Sequence, residues 1–558
     1  MPTNKAPGKD KIIDKPTRVT RTSATLIDLA ITNKKQNIVK SGVLHLGLSD
    51  HSLIFVVRKH FKITSRQNVK YARNFKKFSE TDFLNDLSQI PWDNVTFYDD
   101  PSISYQLWRS HFLQVLDLHA PLRRMRVRGN SLPWITSKVK ELMRERDFHK
   151  KKAVKNHSNM HWIKFRAIRN KVNSELKKAK KNYFCNKIED CARAKDPKQS
   201  WKLINNLLGK NNKSNNISQL KVEDVIISDD IKIAESFNDF FVNIGAKLAN
   251  EIEINSTDFT SFQSVPSKPD IQFKFSEIST HEVCLQLRNL KTSKSTGIDT
   301  IPARALKIAA EIISPSLTWI FNLSIKTGIY VEEWKKAWVL PIYKSEDRQK
   351  CENYRPISIL PIISKIFERL VFNQLYKYLN EHSLLSKYQS GFRPKNSTLS
   401  ALIQMCDAWY TNMDNGDLSG VVFLDIRKAF DSINHDILLR KMKEQFGVSN
   451  IEFKWFESYI SNREQVCFVN GTMSTPRNLV CGVPQGSILG PLLFLLYIND
   501  LPNNLKNTIP CLYADDTQIF SSANYYQHLV FNLNSDLNNI SQWLKQNKLQ
   551  HHSSKTKV

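Results

Sequence analysis

Three aspartates have the surroundings that metal-assisted phosphoryl chemistry asks for. Asp425 follows Gly420-Val-Val-Phe-Leu424, a continuous apolar run. Such a run predicts a buried strand. A carboxylate at its end is costly unless it is paired or bound to a cation. Asp515 and Asp516 stand side by side within Cys511-Leu-Tyr-Ala-Asp-Asp-Thr-Gln-Ile-Phe520. Neighbours in an extended strand face opposite ways, so the two can serve one ion only in a tight turn. A carboxylate pair at a turn, with a third at a neighbouring strand end, makes a hard-oxygen donor set suited to Mg2+. Two such ions about 3.5–4 Å apart stabilise the attacking and leaving oxygens of a phosphoryl transfer. An Asp-Asp pair alone is commonly a solvated turn, so the assignment leans on its context.

Between the two strands lies Gly482-Val-Pro-Gln-Gly-Ser-Ile-Leu-Gly-Pro-Leu-Leu-Phe494. Pro484 and Gly486 set a turn, and Ser487 is placed to cap the helix that follows. Glycines at 486 and 490 let another backbone approach closely. The plainer reading is a Gly/Pro-rich loop ahead of a core helix. Lys428-Ala-Phe430-Asp431, just after Asp425, begins a further helix. No GxxxxGK[ST] element occurs, which disfavours a P-loop ATPase.

These elements, in this order, resemble the reverse transcriptases of non-LTR retrotransposons (LINE elements) of the jockey-like kind. Asn353-Tyr354-Arg355-Pro356-Ile357-Ser358-Ile359-Leu360 resembles the first finger motif, and Gln389-Ser-Gly-Phe-Arg393 with Ser397-Thr398 the second. Phe423 to Asp431 resembles motif A, Gly482 to Phe494 motif B and Tyr513-Ala-Asp-Asp516 motif C. Trp543 to Leu549 with Lys555-Thr556 resembles motif D, and Lys291-Thr-Ser-Lys-Ser-Thr-Gly-Ile-Asp299 the block ahead of the fingers. The resemblance spans about 280–558. It implies Asp425, Asp515 and Asp516 as metal ligands, helped by the Ile426 carbonyl, for two Mg2+ ions with Mn2+ as the alternative. Arg393 is implied to grip the incoming triphosphate, with Arg355 and Lys365 assisting; a planar guanidinium suits phosphate. Phe430 resembles a steric gate that leaves no room for a ribose 2′-OH, against a plain packing role. Gln485 and Gly486 resemble the residues beside template and nucleotide. Lys555 is the implied general acid toward pyrophosphate. The implied reaction is in-line attack of a primer 3′-oxygen on the α-phosphate of a dNTP, catalysed by positioning and charge neutralisation. The implied fold is α/β (α+β): right-hand fingers and palm with a small antiparallel sheet, preceded by a basic, mostly helical segment.

The N-terminal stretch contains Thr25-Leu-Ile-Asp28 and Leu48-Ser-Asp50-His51-Ser52. Ser-Asp-His alone is a weak signal, usually a surface turn. Upstream of a reverse transcriptase it resembles the end of the apurinic-type endonuclease that these elements carry. Asp28 then matches an active-site Asp, and Asp50-His51 the terminal pair in which an acid orients an imidazole. About 60 residues cannot close such a domain. Two or three orphan strands and no endonuclease activity are expected. The chain is also read as stopping near motif D, with the thumb absent, which puts processive synthesis in doubt.

The chain has 558 residues with 81 Lys+Arg and 53 Asp+Glu, a net charge of +28. Residues 121–210 hold 26 Lys/Arg against 7 Asp/Glu. There Trp162, Phe165, Ile168, Val172, Leu176, Ala179 and Tyr183 form the stripe of an amphipathic helix. Lys164, Arg166, Arg169, Lys171, Lys177, Lys178, Lys180 and Lys181 fill its other faces. Acids are scarce at i±4, so a phosphate-binding face is preferred to a merely solvated or membrane-surface helix. The eight cysteines form no CxxC pair, which excludes a zinc knuckle and a dense disulfide framework. No apolar run spans a membrane and no secretory leader is visible. An intracellular protein of nucleus and cytoplasm is expected. Its expected partners are an RNA template, a DNA primer, dNTPs and an element-encoded RNA-binding protein, with no membrane. The expected divisions are an endonuclease-like remnant at 1–60, a basic helical connector at 61–275, fingers at 276–400 and palm at 401–558. The competing readings are a catalytically silent relic that only binds nucleic acid and, less well supported, a group II intron maturase.

Overall fold

The computed structural model describes residues 10–20, 22–32, 35–45, 50–58, 69–126, 132–194, 197–208, 217–252 and 271–557. Two polar stretches, 210–216 and 255–270, and the basic residues at 127–128 lie outside the described residues. The chain divides into two compact units, Met1–Lys70 with Met125–Ser214, and Tyr71–Arg124 with Asn215–Val558. No described helix is long and apolar enough to cross a membrane.

The first unit holds a hairpin of β1 (Ile38–Leu44) and β2 (Leu53–Arg58) and two long helices, α1 (Ser137–Asn156) and α2 (Asn159–Ala194). Thr136 caps α1 by accepting from the Val139 N–H, and His157 ends it in a left-handed turn. The expected stripe is real: Trp162, Phe165 and Val172 are buried, and Ile168, Leu176, Ala179 and Tyr183 half-buried. Ala153, Trp162 and Phe165 form a small core, and the buried Lys150 ammonium lies 5.3 Å from the Phe165 ring centre. The strands are less well covered. In the hairpin Val39, Leu44, Leu53, Val56 and Val57 are exposed, as are Ile27, Leu29 and Ile31 ahead of it.

The second unit is the larger. Its strands are β3 (Lys336–Tyr343), β4 (Tyr354–Ile359), β5 (Leu418–Leu424), β6 (Arg463–Val469), β7 (Thr472–Met473), β8 (Arg477–Leu479), β9 (Ile509–Tyr513) and β10 (Asp516–Ala523). One sheet runs β4-β3-β6-β7, with β8 also on β6; β3 and β6 are parallel and the other pairs antiparallel. A separate antiparallel sheet has the order β5-β10-β9. The helices that matter for the site are α3 (Asp230–Asn250), α4 (Ala310–Thr327), α5 (Ile362–Glu381), α6 (Thr398–Asp414), α7 (Gly490–Ile498) and α8 (Tyr526–Gln546). Phe321 of α4, Phe367 of α5, Tyr330, Trp334, Trp455 and Tyr459 meet in one aromatic centre with rings 4.7–6.2 Å apart.

Two expectations change here. The segment 61–275 is not one connector. Helix Pro101–His119 buries Tyr105, Trp108 and Phe112 in the main core, and Trp108 donates to the Ser316 hydroxyl of α4 at 3.0 Å. Helix α3 lies on β6, where Asn238 and Gln465 share a side-chain bond of 2.9 Å and Phe237 and Phe241 are buried. Net charge does not report which apolar faces complete a distant core. The strand after Gly420 is also not buried on both faces: Val422 is buried but Phe423, its neighbour on the opposite face, is exposed, as in an antiparallel sheet covered on one side.

Candidate active site

The three-stranded sheet brings the aspartates together. Tyr513 pairs with Asp516, leaving Ala514 and Asp515 as a two-residue turn between β9 and β10. Leu424 is the last residue of β5 and pairs with Thr517. One step further along that register, Asp425 comes level with Asp516, a cross-strand spacing of about 5 Å. All three line one cavity of about 860 Å3, with Lys344, Arg355, Phe423, Lys555 and Lys557 also in its wall. Gly420 lets α8 cover the opposite face of β5, since a Cβ there would meet Leu533 at 2.8 Å.

Burial pushes the Asp515 carboxyl above its ordinary value, and the negative Asp425 adds to it. Asp516 is raised in the same way, by burial and then by Asp515 and Asp425. Clustered carboxylates that raise one another are a donor set that a hard divalent cation would relieve. Among the described residues no group of three or more His, Cys, Asp or Glu side chains forms a ready-made metal site. Instead the Lys555 ammonium contacts Asp425 at 2.6 Å, and the Asp425 carbonyl accepts from the His552 N–H at 2.7 Å. Uncompensated carboxylates repel, and the lysine supplies the local positive charge. Burial lowers Lys344, and the neighbouring Lys555 and Arg355 lower it further.

The other expected residues divide. Arg355 is in the cavity wall. Lys365 is on α5, half-buried and outside that wall, with burial lowering its ammonium. Arg393 is turned into its own loop, where its guanidinium donates to the carbonyls of Ser386 at 2.9 Å and Gln389 at 3.5 Å. It is not among the residues lining the aspartate cavity. Phe430 stacks on Phe494 of α7 at 4.9 Å and meets Phe392 edge-on at 6.0 Å, so its ring is braced from two sides. The Ile426 side chain is in the core while its backbone bridges to His551. The Gln485 amide donates to Asp431 at 2.8 Å, and its carbonyl accepts from the Ser358 N–H. Gly486 has φ +134°, and a Cβ there would lie 2.4 Å from the Ser358 carbonyl. The glycine is what allows this loop to lie against β4. Ser487 accepts from the Gly490 N–H at the start of α7, as its position suggests.

Three supports escape a reading of the sequence. Glu368 of α5, fully buried, accepts from the Ile488 and Leu489 N–H groups and so closes the N-terminal end of α7. Asp431 is half-buried, and its carboxyl is pushed up to about 6 by desolvation, which the Gln485 bond partly offsets. Gln389 is bonded to the Ala514 turn. An acid among apolar residues is the available signal for Glu368; Asp431 and Gln389 lie within the quoted motifs, but nothing local marks the bonds they make.

In the first unit, the structure brings Asp28 and His51 together, with Nδ1 of His51 2.9 Å from the carboxylate. That contact, with Thr17, holds Asp28 below its ordinary value. Asp50 is not the acid that orients His51: it pairs with Arg18 at 2.8 Å. Adjacent residues cannot readily turn their side chains to one another along an extended backbone, and a distant acid takes the role. On α2, Lys164, Arg166, Lys171, Lys177, Lys178, Lys180 and Lys181 are exposed, and Arg169 is half-buried beside Phe165.

Residues 342–558 match the family model described as reverse transcriptase (RNA-dependent DNA polymerase). Among curated proteins, the chain is 31% identical to a probable RNA-directed DNA polymerase from transposon BS of Drosophila melanogaster, covering 50% of this chain and 31% of that protein. It is 29% identical to the RNA-directed DNA polymerase from mobile element jockey of the same species, over 48% and 30%. To a probable RNA-directed DNA polymerase from transposon X-element, also of Drosophila melanogaster, it is 31% identical, over 48% and 28%. The chain thus spans less than a third of the length of each of these relatives.

Proposed function

We propose that this chain, whose residues 342–558 are a reverse transcriptase domain similar to those of jockey-like non-LTR retrotransposons, copies RNA into DNA. The observation that carries the reading is the single cavity into which β5 and the β9–β10 turn deliver Asp425, Asp515 and Asp516. These carboxylates would hold divalent cations, Mg2+ or Mn2+, whose chemistry is to neutralise the phosphates and activate the primer 3′-oxygen. Arg355 and Lys344, in the same wall, supply positive charge toward a triphosphate. Lys555, beside Asp425 in that wall, is the residue that would give a proton to leaving pyrophosphate. Phe430, braced by Phe494 and Phe392, is suited to exclude a ribose 2′-OH. Arg393 supports its own loop, and a triphosphate contact would require it to leave the Ser386 carbonyl.

The substrates on this reading are an RNA template, a primer with a free 3′-hydroxyl and dNTPs. The basic face of α2 supplies sequence-independent affinity for the nucleic acid backbone. The Asp28–His51 pair is read as part of an endonuclease-like site, the acid orienting the imidazole. The competing reading, a chain that binds nucleic acid without catalysis, draws on one observation: Asp425 is engaged by Lys555. Primer extension on an RNA template with dNTPs and Mg2+ decides between them. Incorporation above a no-enzyme control is expected. Binding of the primer-template without incorporation would establish the silent reading.

A further inference from the structure

The turn that carries Asp515 is strained, and something outside it must hold it. Ala514 has φ +57°, a region that residues with a Cβ seldom occupy. Two-residue hairpin turns normally place Asn-Gly or Asp-Gly at such positions. Left-handed backbone at an ordinary residue is costly and persists only where the surroundings over-determine it.

Chief among those surroundings is one side chain. Gln389 is 5% exposed. Its Oε1 accepts from the Ala514 N–H at 2.9 Å and from the Gly391 N–H at 2.7 Å. Its Nε2 donates to the Ala514 carbonyl at 3.3 Å. Both backbone polar groups of the strained residue are thus met by a single carboxamide. The loop is stitched to β9 as well: Ser390 donates to the Leu512 carbonyl at 2.8 Å and Leu512 to the Tyr388 carbonyl at 3.0 Å. Gly391 permits the approach, since a Cβ there would lie 2.1 Å from the Ala514 nitrogen. Arg393 in turn donates to the Gln389 carbonyl and braces the loop from within.

We propose that Gln389 is a positioning residue, holding the Ala514–Asp515 turn in the conformation that presents Asp515 and Asp516 to the shared cavity. The inference rests on the polymerase reading and adds a residue to it. It also gives the Gln-Ser-Gly-Phe-Arg segment a second role, because the loop implied to meet the nucleotide is locked to the loop implied to meet the metal.

The test is single-nucleotide addition by the full chain with parent, Gln389→Leu and Gln389→Asn, the last keeping the carboxamide one methylene short of its reach. Both variants should lose about 100-fold in kcat, the scale of a misplacement near 1 Å. The KM for dNTP should change by less than about threefold, because uniform binding is untouched. The Mg2+ concentration for half-maximal rate should rise several-fold. Primer-template affinity should stay at the parent's value, and the melting temperature should fall by no more than about 5 °C. A kcat equal to the parent's in both variants overturns the inference. So does a loss shared equally by kcat, template affinity and melting temperature, which marks a general folding role. If Gln389→Leu does not fold, Gln389→Asn carries the test by the same readouts. An inactive parent overturns the polymerase reading, and this inference with it; an active parent with undiminished variants overturns the inference alone.

Discussion

At the scale of single residues, the carboxylates are decided by their neighbours rather than by their number. Asp515 and Asp516 are each raised by burial and then by nearby carboxylates, so a cation stabilises most where they stand. Asp515→Asn removes the negative charge with little change in volume. It should abolish nucleotide addition while leaving RNA affinity within about twofold, measured by primer extension and filter binding. Retained synthesis would refute the metal role. Asp299 behaves differently: it is 3% exposed, one of its oxygens has no partner, and desolvation pushes it up to about 7. The folded state therefore holds this proton more tightly than the unfolded chain, whose aspartate titrates near about 3.9. Its contribution favours folding at low pH and is lost as pH rises between about 4 and 7. Asp299→Asn cannot ionise and can still accept from the Ile301 N–H that Asp299 meets at 3.4 Å. Its stability relative to the parent should climb across that window and then level off, by at most about 4 kcal/mol at about 1.4 per unit. Denaturant melts at pH 4, 6 and 8 measure this; a difference that does not depend on pH would refute it.

At the scale of elements, close backbone approach does much of the positioning. The loop ahead of α7 lies against β4 through Gly486, and Glu368 closes the end of the same helix. Gly486→Ala forces a Cβ to within 2.4 Å of the Ser358 carbonyl at a φ that alanine rarely adopts. A loss of about 2–4 kcal/mol is expected from the combined strain and displacement, read as a lower denaturation midpoint. Glycine spacing in the sequence anticipates that something comes near this loop, but not that it is Ser358. The hairpin turn at Ala514-Asp515 was legible, because two adjacent acids serve one site only in a turn. The open face of β5 was not, because an apolar run reads the same whether a sheet is covered on one face or two.

At the scale of the whole molecule, charge and core are separate matters. The basic stretch is concentrated on α2, whose apolar stripe meets α1 while its lysines face solvent. Replacing Lys177, Lys178, Lys180 and Lys181 by Gln should reduce the slope of log affinity against log salt by about 0.9 for each phosphate left without its lysine. An unchanged slope in a salt titration would make that face merely solvated. Lys180 also lies 5.6 Å from the Trp134 ring centre, so its replacement should cost some helix packing too. The main core, by contrast, is drawn from both sides of the basic region: Trp108 and Phe112 before it, Phe321, Phe367 and Trp455 after. What the sequence by itself determined are the residue types and their local spacing: an acid at a strand end, two acids at a turn, a capped helix behind a Gly/Pro loop and an amphipathic basic helix. Local spacing sets dihedral preference and which face a side chain occupies, and these are readable over a few residues. Only the tertiary structure decided that Asp28 rather than Asp50 meets His51, that Arg393 turns into its own loop, that 71–124 joins the main core while 217–250 builds a second core on β6, and that Gln389 is bonded to the turn beside Asp515. Most of these are pairings between groups far apart in the chain. Such pairings are selected by which surfaces can be buried together with every polar group satisfied, a condition that no local pattern contains.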